Sequence, residues 1–182
     1  VLNSRFSEHN FGGQAGINRA RGFSHLIFSR FEQKPGLVEG NRDDVTGKFL
    51  LYAGSPLERV ATVNDLRGRQ PWIPNQQVIH DRLVSDNQWS IGSSQLKANL
   101  AWQRNQRMEY GNPELPTEKE LYFDLHTLNY ALHWQLPALK EWHTTLGTNG
   151  MRQQNKNRGI ELLIPEYRLF DLGVFAHTQR YF

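Results

Sequence analysis

The residues with the widest chemical repertoire in this chain are its seven histidines, at 9, 25, 80, 126, 133, 143 and 177. No two are spaced by two on one strand or by three or four on a helix, so the local pairing that starts a zinc site is missing. His126 and His133 stand at odd separation, which on a strand sends them to opposite sides. They read as wall or rim histidines satisfied by water or neighbours, and no metal is expected. Asp43 and Asp44, with Glu39 and Arg42 nearby, could attract a cation, but the stretch reads as a solvated loop. Ser93-Ser94 beside His80 does not make a nucleophile and base, because the serines sit in a turn and no acid is placed to orient the histidine. No GxxxxGK[ST] phosphate loop occurs. Catalysis is therefore not expected, nor is a cofactor.

Composition narrows the classes further. Hydrophobic residues make up 38% of the 182 positions and the mean hydropathy is −0.65, so a soluble core would be thin. No stretch approaches the roughly 18 apolar residues of a spanning helix, and VLNSRFSEHN lacks the basic-then-apolar order of a signal peptide. The net charge of +3 comes from 21 basic and 18 acidic residues spread along the sequence. No linear basic cluster marks a nucleic-acid site. With no cysteine, disulfide scaffolds and thiolate chemistry are excluded.

The elements that would position any site are strands. Between Leu121 and Gly159, Leu128, Tyr130, Leu132, Trp134 and Leu136 alternate with Asn129, Ala131, His133 and Gln135. That period of two predicts a strand, and it resumes after Pro137–Glu141 with Trp142, Thr144, Leu146 and Thr148 before dissolving into the polar run 152–158. Leu96, Ala98, Leu100 and Trp102 form the clearest stripe, in a strand reaching about Tyr110. Others are predicted over 11–20, 23–31, 78–91 and, around Phe170, Leu172 and Val174, at the end of the chain. Seven strands are expected, with no persuasive helical period, and 33–76 reads as a long loop rich in Gly and Pro.

Connections alternate between short (20–22, 92–94, 137–141) and long (33–76, 111–120, 159–168). An antiparallel meander with this rhythm carries every short turn at one end and every long loop at the other, the layout of outer-membrane barrels. Trp89, Trp134 and Trp142 lie beside short turns; Tyr110, Tyr122 and Phe123 lie beside long ones, as interfacial girdles would. A soluble sandwich or lipocalin-like barrel also alternates. Against it, the polar stripes favour Asn, Gln, Thr, Ser and Gly, a composition suited to a hydrated lumen rather than a charged surface.

The segments GRQPWIPNQQV, GSSQLKANLAWQRNQRMEYGNP, LYFDLHTLNYALHWQLPALKEWHTTLGTNGMRQQNKNRG and IELLIPEYRLFDLGVFAHTQRYF together resemble the barrel of a TonB-dependent outer-membrane receptor of the kind found in Bacteroidetes. The likeness is most specific from Gln95 to Phe182. It implies an all-β meander that is one part of a barrel of about 22 strands around a plugged lumen, this chain supplying about a third of it. Signal, energy-coupling segment, plug and other strands would lie outside residues 1–182, and Tyr181-Phe182 would fall inside the barrel rather than at its end. The implied activity is uptake of a large solute (an iron–siderophore complex, cobalamin or an oligosaccharide) across the outer membrane. The implied partners are the TonB complex, the protein's own plug and outer-membrane lipid. Leu96, Leu100, Trp102, Leu128, Tyr130, Leu132, Trp134, Leu136, Phe170, Leu172 and Val174 are expected to face lipid. Asn99, Gln103, Asn129, His133, Gln135, Asn149 and Gln153 are expected on the lumen wall. Solute capture is expected at the long-loop end, around Arg42, Trp72, Tyr110, Tyr122 and Arg158.

Overall fold

The computed structural model describes residues 2–180; Tyr181 and Phe182, expected inside the barrel, lie outside them. The chain is all-β. Strands β1 (Phe6–Arg19), β2 (Gly22–Pro35), β5 (Asn75–Ile91), β6 (Ser94–Tyr110), β7 (Leu121–Gln135), β8 (Trp142–Asn157) and β9 (Tyr167–Arg180) form one sheet. Between β2 and β5 an excursion carries the short pair β3 (Leu50–Leu51) and β4 (Arg59–Val60) and a five-residue helix, α1 (Val63–Arg67). The sheet order is β1-β2-β5-β6-β7-β8-β9 with every neighbour antiparallel. It is a pure meander with β1 and β9 each paired on one side only.

The turns follow from their residues. Gly92 opens the β5–β6 turn at φ 62°, the glycine-first pattern of a type II′ hairpin, whose twist matches that of the strands. Gly22 starts β2 at φ 148°, and a Cβ there would stand 2.0 Å from the Gln88 carbonyl oxygen; β2 and β5 could not approach so closely with any side chain at 22. Short turns (20–21, 92–93 and 136–141) all fall at one end of the meander. Long connections (36–74, 111–120 and 158–166) all fall at the other.

Two features differ from the sequence expectation. The strands reach further than periodicity indicated: β2 runs to Pro35, β5 begins at Asn75, and the polar run 152–157 remains strand. Alternation fades there because both parities of these end segments carry polar residues, Gln33 and Lys34 on β2, Gln76 and Gln77 on β5, Gln153 and Gln154 on β8, yet the backbone ladder continues. The stretch 36–74 is not featureless. Leu2, Leu51 and Ala61 form a small core with Phe49, Tyr52 and Trp72 against it. Asn3 clamps the lobe, its amide nitrogen donating to the carbonyls of Leu37 (2.9 Å) and Pro74 (2.6 Å) while its oxygen accepts from the Trp72 amide (2.8 Å).

Helix α1 exists because Thr62 caps it: the hydroxyl accepts from the Asp65 amide, and the Asp65 carboxylate accepts from the Thr62 amide at 2.8 Å. Arg59 grips the same carboxylate at 2.6 and 2.9 Å. The Arg59 guanidinium and Thr62 hydroxyl hold Asp65 well below the usual carboxylate range. A depressed folded value means the contribution is complete above the unfolded value of about 3.9 and fades as pH falls below it. Asp65→Asn is expected to cost the lobe about 1–3 kcal/mol at neutral pH and somewhat less at pH 3, where the unfolded chain already binds the proton but folded Asp65 still holds its charge. Hydrogen-exchange protection of 59–67, compared between wild type and variant at the two pH values, reads this out directly.

Among the described residues most of the seven-stranded sheet packs against no second layer, and the buried apolar ones are Leu2, Leu51, Ala61, Met108 and Leu121, none of them from the apolar stripes. The accessible surface is 12277 Å², against about 9,100 Å² for a compact monomer of this mass. The excess is the measure of two uncovered faces.

Candidate functional site

Register decides which residues share a face. Trp89, Leu96, Trp134, Leu146 and Ala176 form one row across β5 to β9; Leu83, Trp102, Leu128, Arg152 and Phe170 form another. Between them run Leu100, Tyr130 and Leu172, and Ala98, Leu132 and Val174. The rows continue through Phe28, Leu26 and Ile17 on β2 and β1. The result is an apolar belt on the short-turn half of the sheet, interrupted at mid-height on β5 by Ser85 and Asn87, whose amide donates to the Ser85 hydroxyl at 2.8 Å and the Ala98 carbonyl at 3.1 Å. Thirteen of its large side chains, among them Ile17, Leu132 and Trp134, are 37 to 79% exposed. Leu136, just past β7, keeps this parity and donates its amide to the Thr144 carbonyl at 2.9 Å. Within the belt Gly150 leaves room for the Tyr130 ring, whose hydroxyl reaches across β8 to the Asp171 carbonyl at 2.7 Å.

The opposite face carries Asn99, Gln103, Asn129, His133, Gln135, Asn149 and Gln153 together, as their paired positions require. It is a polar wall of mostly uncharged groups. The Asn99 amide lies 2.6 Å from an Asp86 oxygen. Gln153 donates to the Thr127 hydroxyl at 3.0 Å and accepts from the Tyr167 hydroxyl at 2.9 Å. His133 meets the Phe175 ring edge-on at 5.3 Å. Such a surface can hydrogen-bond a hydrated solute or another polar domain. Among the described residues no three His, Asp or Glu side chains are arranged to hold a metal ion.

The five residues expected to gather a solute do not form one cluster. Tyr110, Tyr122 and Arg158 come together at the long-loop end, with Arg158 5.9 Å and Lys119 4.9 Å from the Tyr122 ring. Arg42 instead stacks on Phe49 at 4.0 Å and donates to the Gly47 carbonyl, inside the 36–74 lobe. Trp72 belongs to the same lobe, 6.3 Å from Tyr52 and under the Arg5 guanidinium. Moreover, Tyr110 and Tyr122 share the face of the belt: Met108 stands opposite Tyr122, and the parity set by Leu128 to Trp134 runs unbroken to residue 122. These residues flank the polar wall rather than lining it.

That belt face also holds the group the sequence reading missed. Asp124, with none of its side chain exposed, accepts from Arg104 Nε at 2.8 Å and Nη2 at 2.9 Å, with Arg158 Nη2 at 3.1 Å and His126 Nε2 at 3.3 Å. Its neighbour across β6 and β5 is the Arg30–Asp81 pair at 3.1 Å. Directly above the apolar rows the face therefore turns to a charged row of Arg30, Asp81, Arg104, His126, Gln154 and Arg168. The only sequence signal was the shared parity of residues 124 and 126 with the apolar stripe, which means little until register aligns it with residues 81 and 104.

Comparison with known protein families, curated proteins and solved structures returned no match to this chain.

Proposed function

We propose that this chain forms part of the wall of a large outer-membrane β-barrel, and that the barrel is an active-transport receptor. In this reading the belt faces lipid and the polar wall faces a hydrated lumen closed by a plug. The solute is one too large for simple porins, such as an iron–siderophore complex, cobalamin or an oligosaccharide, and the TonB complex supplies the energy.

The observation that carries the barrel is the height of the belt. Its rows run from Leu83 to Ile91 on β5, Ser94 to Trp102 on β6, Leu128 to Leu136 on β7 and Trp142 to Gly150 on β8. Each is about nine residues, and a tilted strand needs about 9–11 to cross the hydrocarbon core. Backbone groups at the β1 and β9 edges would find partners in further strands, as every spanning sheet must. A soluble sheet of this kind would need a second apolar layer over the belt, and none lies there among the described residues. The transport half of the proposal rests on the resemblance of residues 95–182 to TonB-dependent receptors.

Fractionation of cells making the full natural protein tests the first half: recovery in the outer-membrane fraction is expected, and recovery in buffer without detergent overturns it. Loss of solute uptake when the energy-coupling complex is deleted tests the second; uptake that persists undiminished would mean a passive pore.

A further inference from the structure

The sequence spreads its cations evenly, but register gathers three of them where the belt ends. Arg152 stands in the uppermost apolar row, between Leu128 and Phe170. Arg168, paired with Gln154, is one row above it, and Lys156, paired with Asp124, is two rows above. All three are exposed and on the belt face. Of the other cations on that face, Arg30 is neutralised by Asp81 and Glu32 and Arg104 and Arg158 by Asp124, while Arg19 and Lys34 stand apart on β1 and β2 at the far edge of the sheet. Among the described residues no carboxylate pairs with Arg152, Lys156 or Arg168. The β5–β6 side of the charged row is balanced, whereas the β8–β9 side carries excess positive charge.

A groove of about 390 Å³ joins this charge to the belt. Trp102 and Leu128 line its apolar part, and Arg152, Lys156 and Arg158 its cationic part. Arg152 and Lys156 lie four residues apart, about 13 Å along the strand. An amphiphile with acyl chains below and an anionic head above matches that order. A free anion would have no use for the tryptophan and leucine, and an acidic protein would have no reason to sit on the rim of a lipid belt.

We infer that the belt-face groove of β7 and β8, with Arg168 of β9, binds the phosphate-bearing headgroup of a membrane lipid in the leaflet on the long-loop side. The inference rests on the reading of the belt as lipid-facing. Each cation near an anionic lipid surface contributes about a fivefold factor in affinity, about a hundredfold for three.

The full natural protein in neutral detergent would be titrated with phosphorylated lipid A, with its dephosphorylated form and with inorganic phosphate, and bound lipid counted by native mass spectrometry. Binding of the phosphorylated lipid alone is expected. Arg152→Gln, Lys156→Gln and Arg168→Gln should each weaken it about fivefold and together about a hundredfold, while Lys97→Gln on the opposite face should leave it unchanged. The single variants carry the test should the triple one assemble poorly. Equal binding of the dephosphorylated lipid, displacement by inorganic phosphate at the same concentration, or indifference to the three substitutions would overturn the inference. Reconstitution separates the two readings: a protein that inserts into bilayers but fails these tests sinks this inference alone, and one that does not insert sinks the barrel with it.

Discussion

Arginine at Leu132 is expected to destabilise the proposed inserted barrel by about 2–4 kcal/mol, and arginine at Ala131, one residue away, by much less. Leu132 sits at the middle of the nine belt positions from Leu128 to Leu136, on the face shared with Ala98 and Val174, and is 42% exposed. A guanidinium there would meet hydrocarbon at the depth where charge is least tolerated. Ala131 lies between Asn99 and Asn149 on the polar wall, where the same group would remain hydrated. The gap corresponds to a factor of about 30 to 1,000 in the folding equilibrium, measurable by denaturant titration of the natural protein in lipid vesicles. Equal costs at the two positions would mean that the facing assignment is wrong.

The second large effect is expected at Asp124. Its carboxylate is fully buried and holds two guanidiniums at once, so Asp124→Asn leaves Arg104 and Arg158 facing each other without a counter-ion. Breaking a fully buried pair costs more than this site should, because Arg104 and Arg158 are 31 and 48% exposed and water can reach them. About 2–3 kcal/mol is expected from the lost charge-assisted hydrogen bonds. Arg158→Gln alone should cost under about 1 kcal/mol, since it removes one half-exposed arm and leaves the bidentate Arg104 contact. The ordering of the two variants in equilibrium unfolding is the check. A cost at Asp124 no larger than that at Arg158 would show that the carboxylate does not organise the upper face.

Much of the fold was legible because a strand writes its facing into alternate residues. Leu96 to Trp102 and Leu128 to Trp134 announced both the strands and the face they share, and Gly92 and Pro137 marked turns. Register was not legible: nothing local aligns Asp81 with Arg104, or Arg152 with Phe170, so neither the Asp124 network nor the unpaired cations could be seen. The tie between Asn3 and Pro74 spans 71 residues, beyond the reach of any window. Helix α1 left a trace in Thr62 and Asp65, an S/T-x-x-D start, but five residues are too few to show a 3.6 period. The five residues expected around a solute do not gather into one group for a simpler reason. Closeness to a long loop says at which end of the sheet a residue lies, whereas parity says on which face, and Tyr110 and Tyr122 have the parity of the belt.

The facing of the sheet is the claim on which all the rest depends, and the absence of native cysteines in this stretch allows single reporters to be placed at will. Spin labels at 131, 132, 149 and 172 of the natural protein in bilayers would be probed with oxygen, which partitions into lipid, and with a water-soluble nickel complex. Labels at 132 and 172 should respond to oxygen and those at 131 and 149 to nickel. Nickel access at all four positions, or the reverse pattern, would contradict the barrel wall proposed for this sheet.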